Sequence, residues 1–382
     1  MADIRRTENG AGFPLAADFP CSLESELTKA VAATPNSADA NRQLGEFYLA
    51  HGSIGQAILY LQRARQIGPA DSRTILYLSE ALLRSGNFDA AREQLKTMPA
   101  GAKDVSFHRL SAKAEEGSGH FATASEEYLN AAELDPSEEN IFGGGYELIL
   151  AGHPMDAARV FGAGVARYPL SSTLLIGAGT AKFLQGDSSA AVMLFLQAAD
   201  LNPSDPRPYS FLTEAFETSR VKDAQVLACL KRYSEQFPAR AEASYLYAVV
   251  LSKDNAGGAA TGAQVESLLK QATALDPNFA KPHFQLGALY AHREDYESAI
   301  REFEAAEHLA PGMKEVHYRL TSAYERAGHA EAAEREMKLF RESHEPNAED
   351  GGGGISIGQF ISVVDRPHSA SKDVRCLQSA DK

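Results

Sequence analysis

The sequence predicts an all-α protein, an α-solenoid of stacked helix pairs with no sheet. Three observations carry that prediction. Alanines recur in matching surroundings at Ala57, Ala91, Ala124, Ala157, Ala191, Ala299 and Ala333, 33 or 34 residues apart except for one gap of three periods with short insertions. Prolines keep the same beat at Pro35, Pro69, Pro136, Pro169, Pro203, Pro238, Pro277 and Pro311. Within each unit, apolar residues follow helical spacing twice, as Leu286, Leu289 and Tyr290 and then Ile300, Phe303, Ala306 and Leu309. A fixed period of this length, with two helices in each, is an internal repeat.

The chain has 382 residues, of which 44% are hydrophobic and 23% charged, so it has the apolar content to bury a core. Residues 1–21 carry an Arg pair, Arg5-Arg6, but no apolar stretch behind it. They do not read as a secretory signal, and a disordered N-terminal segment of a soluble, cytoplasmic protein is the expectation. Residues 22–37 hold one lone helix around Leu23–Ala33, suited to capping an array. The repeats then run over 38–344. Each proline ends a second helix, because it removes an amide donor and clashes with the preceding turn. Glycine precedes the second helix by two residues at Gly52, Gly86 and Gly119. Gly287, Ala299 and Ala306 are small where two helices cross closely, and Phe303 and Tyr290 fill the space beside them.

Two places depart from the rhythm. The unit after Pro206 has its small residue near Ala224 and no glycine in its turn, and the next carries an insert, "DNAGGAATG", at 254–262. The stretch from Pro206 to Gly262 is therefore expected to be the least stable part of the array. Residues 345–382 read as a tail: a Gly-rich linker, then "ISIGQFISVVD", where Ile355, Ile357, Ile361 and Val363 alternate as in a strand. An unstructured tail and a segment docked near Phe284 and Tyr318 both suit that pattern.

A unit of about 34 residues with large-Leu-Gly-Tyr, Ala, Phe, Ala and Pro in order resembles the tetratricopeptide repeat. The resemblance covers about nine units and implies a right-handed superhelix. The family's frequent Trp is absent; Asn41, Ile75, His108, Ile141, Leu175, Tyr209, Ser244, His283 and His317 hold that slot, the fourth position of each unit. The resemblance further implies that positions 2, 5, 9, 12 and 13 of the first helices line a concave groove that holds a peptide.

Those positions are charged in the first third, at Arg42, Glu46, Arg73, Glu80, Arg84, Arg109 and Lys113. They turn apolar and aromatic at Phe142, Tyr146, Ile149 and Leu150, and again at Ile176, Thr180 and Phe183. Tyr245, Phe284 and Tyr318 continue that character at position 5 of the last three units. Phe142, Tyr146, Ile149, Ile176, Thr180, Phe183, Tyr245, Phe284 and Tyr318 are thus the candidate partner-binding residues. The same side chains equally suit packing between neighbouring helices. No unit has the Asn at position 9 that the family's chaperone-tail clamp uses, so that partner class is not expected.

Other chemistry finds little support. Net charge is −14 with no basic stretch, which argues against nucleic acid and anionic lipid. No apolar run reaches the ~20 residues of a membrane helix. The sequence contains no HExxH, CxxC, phosphate-loop, GxSxG or EF-hand pattern. "GGGYE" at 143–147 and "GAGT" at 177–180 fall inside first helices, where close helix contact accounts for glycine. Cys229, between Leu227 and Leu230, reads as core. His283 and His317 share one slot in successive units, where they can stack across a repeat boundary, and are expected to pack rather than to hold a metal, for want of further ligands. The expectation is a non-catalytic scaffold or adaptor for a protein or peptide partner, without cofactor or metal. The alternative is a sensor whose superhelix closes on a small peptide.

Overall fold

The computed structural model describes residues 21–218, 224–253 and 259–343, and among them nineteen α-helices and no strand. The chain divides into two compact units, the first ending at His153 and the second beginning at Pro154. The first unit holds α1 (Cys21–Ala33), α2 (Ala38–Ala50), α3 (Ile54–Ile67), α4 (Ser72–Arg84), α5 (Phe88–Lys96), α6 (Val105–Gly117), α7 (Phe121–Leu134) and α8 (Glu138–Leu150). The second holds α9 (Pro154–Arg167), α10 (Ser172–Leu184), α11 (Ser188–Leu201), α12 (Arg207–Thr218), α13 (Ala224–Gln236), α14 (Ala241–Lys253), α15 (Ala259–Leu275), α16 (Ala280–His292), α17 (Tyr296–Leu309), α18 (Lys314–Ala327) and α19 (Ala330–Ser343). Within each unit, contacts run between neighbours in chain order and between successive first helices such as α2 and α4 or α10 and α12. That is the arrangement of an all-α solenoid built of tetratricopeptide-type helix pairs.

The repeating alanines mark the tightest crossings. Ala57, Ala91, Ala124, Ala157, Ala191 and Ala299 are fully buried, and Ala333 nearly so. Opposite them sits a small residue of the first helix. A Cβ added at Gly287 would lie 2.6 Å from the Phe303 ring, and one at Gly179 would lie 2.5 Å from Phe195. The glycine-rich stretches are explained in the same way: Gly143 lies under Tyr128 and Gly177 under Phe161. Glycine there lets an aromatic ring of the neighbouring helix lie directly against the backbone, at a cost in helix propensity of about 1 kcal/mol per residue.

First helices are started by side chains that accept from free amides, Ser37 from Ala40, Asp71 from Thr74, Asp104 from Phe107 and Ser171 from Leu174. Seven of them, α2, α4, α6, α8, α10, α16 and α18, end in a turn with one left-handed residue. Gly52, Gly86, Gly119, Gly152, Gly186 and Gly328 take φ between 77° and 86° there. In the α16–α17 turn the same place is held by Glu294 at φ 62°, the only non-glycine residue with positive φ among the described residues. The turn keeps its closing bond, Asp295 N–H donating to Tyr290 O at 3.0 Å, so the strain falls on the Glu294 backbone. Glu294→Gly removes a left-handed cost of about 1–2 kcal/mol and gives back up to about 1 kcal/mol of unfolded-chain entropy. The expected result is a gain of about 0.5 kcal/mol, read as a higher urea midpoint at unchanged slope.

The insert expected in the turn of the α14–α15 repeat is partly helical. Residues 259–262 already form the first turn of α15, which lengthens that helix to 17 residues. Residues 219–223 and 254–258, the N-terminal segment 1–20 and the tail from 344, with its strand-like alternation, lie outside the described residues.

Candidate functional site

The arc of first-helix positions expected to line a groove is closed at several of its members. Ile149 and Ile176 are 1% exposed, and Thr180 is fully buried with its hydroxyl donating to the Ile176 carbonyl at 2.9 Å. Burial of these three supports the packing alternative that the same side chains also suit. Phe142 and Tyr146 stack on one another, centroids 5.9 Å apart, and are buried to 9% exposure. Phe183, Tyr245 and Phe284 are half-buried, and Tyr318 is 53% exposed beside Phe340. Phe284 leans on the Phe303 ring at 5.7 Å.

In the first unit the charged arc is satisfied internally. Arg42 pairs with Asp39 and Glu46, and Arg73 reaches Glu46 at 3.4 Å. Arg84 pairs with Glu80 at 2.5 Å, and Arg109 pairs with Glu139. Charges already paired with one another leave less for a ligand to gain, and such exposed pairs add little stability of their own.

The second unit differs. Its arc brings together Glu214 and Glu217 of α12, Tyr245 and Lys253 of α14, and Lys281 of α16, with Gln285 of α16 beside Tyr245. Lys253 Nζ lies 2.9 Å from Glu217. Burial, then the neighbouring Glu217 charge, pushes the Glu214 carboxyl above its usual range, against the pull of Lys281 and Lys253. Burial also pushes the Tyr245 phenol well up, Glu217 adding to the effect and a Gln285 hydrogen bond opposing it. The Tyr245 ring packs edge-on to Phe279 at 5.1 Å. A half-buried carboxyl, two cations and an aromatic ring at one place can grip the backbone and a side chain of an extended segment. Only Tyr245 of this group was among the candidates. Glu214, Glu217, Lys253 and Lys281 stand at positions 9, 12, 13 and 2, so the positional rule itself points to them; attention to apolar residues passed them over.

The slot histidines do not stack across a repeat boundary. Each reaches into its own repeat: His108 Nδ1 lies 2.7 Å from Glu127, His283 Nδ1 2.7 Å from Glu302, and His317 Nδ1 2.9 Å from Glu336. The spacing is nineteen residues every time. Cys229 is buried as expected, and burial raises its thiol. No helix among the described residues is long and apolar enough to cross a membrane.

Two sequence profiles of the tetratricopeptide repeat match the chain, one over residues 49–114 and the other over 24–72 and 144–206. No curated protein matches it. Solved structures similar to it include YrrB, described as a tetratricopeptide-repeat protein with an unusual peptide-binding site. That protein is 15% identical with a TM-score of 0.43, over 47% of this chain and 94% of its own. Yeast Tom70 is 13% identical with a TM-score of 0.41, over 84% and 87%. A tetratricopeptide-repeat protein from Parabacteroides merdae is 14% identical with a TM-score of 0.45, over 75% and 98%. The profile matches fall on helix pairs with buried alanines at the crossing and glycine turns between, and over residues 24–114 and 144–206 the chain carries tetratricopeptide repeats.

Proposed function

We propose that this protein-interaction scaffold takes a partner's extended segment on the α12–α14–α16 face of the second unit. The observation that supports it most is the half-buried Glu214 carboxyl, held in a raised range beside Glu217, Lys253, Lys281 and Tyr245. A desolvated carboxyl gains from a donor, so the partner segment supplies backbone amides or a cation to Glu214 and a side chain to Tyr245. Phe284 and Tyr318 extend the face toward the C-terminal repeats in this reading. The chain performs no chemistry of its own; it positions what it binds.

The test is a peptide selected from a random library on the full chain, with affinity measured by fluorescence anisotropy. Glu214→Lys and Tyr245→Ala are each expected to weaken binding at least about tenfold, a change of about 1.4 kcal/mol. Arg232→Ala, which removes an ion pair with Asp200 on the second-helix side, should leave affinity unchanged. Equal affinity in all three variants would place the binding surface elsewhere. X-ray scattering of the same complex separates scaffold from sensor, since only a sensor contracts around its peptide.

A further inference from the structure

The α18–α19 repeat carries something the other histidine-bearing repeats do not. His317 of α18 faces two carboxylates: Glu336 of α19 at 2.9 Å and Glu307 of α17 at 3.6 Å, both measured from Nδ1. The three ligand atoms all lie within 4.8 Å of one another. At His108 and His283 the residue ten places before the histidine is Met98 or Thr273, so no second carboxylate comes from the preceding repeat. There the His–Glu pair is complete as a hydrogen bond. At His317 a second acid has been added to a pair that did not need it.

Two carboxylates brought to one imidazole nitrogen leave negative charge in excess. The Glu307 carboxyl is pushed up by burial and by the Glu336 charge, and His317 offsets this in part. The side chains of His317 and Glu336 are only 11% and 13% exposed, so water does little to screen the repulsion. Such an arrangement is stabilised by a cation placed among the three.

We propose that Glu307, His317 and Glu336 bind a divalent transition-metal ion of the zinc class. The donor set suits it, since zinc binds both a borderline imidazole nitrogen and harder carboxylate oxygens. So does the spacing. Metal–ligand bonds of about 2.0–2.2 Å at tetrahedral angles put neighbouring ligand atoms about 3.3–3.5 Å apart. The separations from His317 Nδ1, 2.9 and 3.6 Å, fall on either side of that value. Glu307, at 31% exposure, is the most open of the three and leaves the fourth corner to solvent. The ion cross-links α17, α18 and α19, three helices of two successive repeats, and displaces whatever proton lies on Nδ1. Its effect is to pin α17, α18 and α19 to one another across a repeat boundary.

The test uses the full chain after chelator treatment and dialysis, titrated with Co²⁺ and followed by visible absorption, with Zn²⁺ added in competition. Saturation at one ion per chain, displacement by Zn²⁺, and an affinity at least about tenfold lower in Glu307→Gln support the site. Glu307→Gln keeps the His317–Glu336 hydrogen bond, so helicity by circular dichroism should be unchanged and loss of folding cannot imitate loss of metal. His283→Gln, which alters a pair with one carboxylate, should bind as the unaltered chain does. Absence of saturable binding, or equal affinity with and without the Glu307 carboxylate, overturns the proposal. Because the readout is metal alone, its failure leaves the peptide face untouched, and failure of the peptide experiment leaves the metal site standing.

Discussion

Phe303→Ala is expected to cost about 3–5 kcal/mol, the range for removing a large aromatic ring from a closed core. The ring is fully buried and is ringed by Ala299, Ile300, Ala306, Val316 and Leu320 in one cluster. It also covers Gly287, where an added Cβ would stand 2.6 Å from ring carbon Cδ1. That approach makes the sign of a second change depend on the first. In the unaltered chain Gly287→Ala forces the ring to move and should cost about 1–3 kcal/mol. With Phe303 already alanine, the new methyl enters vacated space and restores about 1 kcal/mol of helix propensity. A double-mutant cycle by urea denaturation is therefore expected to show a coupling above about 1 kcal/mol. Additive costs would mean that the two helices do not cross where Gly287 and Phe303 place them. Because each repeat leans only on its neighbours, the loss should appear first as a separate early transition of α16–α19.

How far the sequence reveals this architecture depends on what each position needs. The alanines and Gly287 are legible because a crossing admits only small residues, and a steric rule repeated every turn of the array leaves a visible period. Exposure is another matter. Periodicity assigns Ile176 and Thr180 to one arc of α10, but whether that arc is open depends on how close α12 comes, and the two helices pack directly. A sequence of one chain carries no direct record of that distance. The His–Glu brackets were legible and were missed. Every unit with His at the fourth position has Glu nineteen residues later, whereas units with Asn41, Ile75, Ile141 or Leu175 there have Tyr60, Gln94, Val160 or Leu194. Reading across the two helices of a repeat, rather than along each, exposes the pairing. Glu307 belongs to the preceding repeat and escapes even that comparison.

Tyr209→Ala is expected to be the other large loss, again about 3–5 kcal/mol, and it bears on the repeat whose sequence is least regular. Tyr209 of α12 is 1% exposed and stacks on Tyr233 of α13, ring centroids 3.8 Å apart and planes within 10°. Its hydroxyl donates to the Pro203 carbonyl at 3.1 Å, which ties the helix to the turn before it. The stack joins α12 directly to α13, on which Val226 and Leu230 are also fully buried. Tyr209→Phe keeps the stack and loses one hydrogen bond, for about 1 kcal/mol. Burial raises the phenols of Tyr209 and Tyr233 and the Cys229 thiol, so the fold favours their protonated forms. A raised acid lends stability that is whole below its unfolded pKa, about 8.5 for the thiol and about 10 for the phenols, and declines as pH climbs past it. Alkaline unfolding should accordingly begin in this repeat and be delayed in Tyr209→Phe. Hydrogen exchange locates the effect: in Tyr209→Ala the amides of α12 and α13 should exchange faster by two orders of magnitude or more, about 1.4 kcal/mol for each, while α2–α5 keep their protection. Uniform acceleration along the chain would show instead that the array unfolds as one body and that the Tyr209–Tyr233 stack is no local bracket.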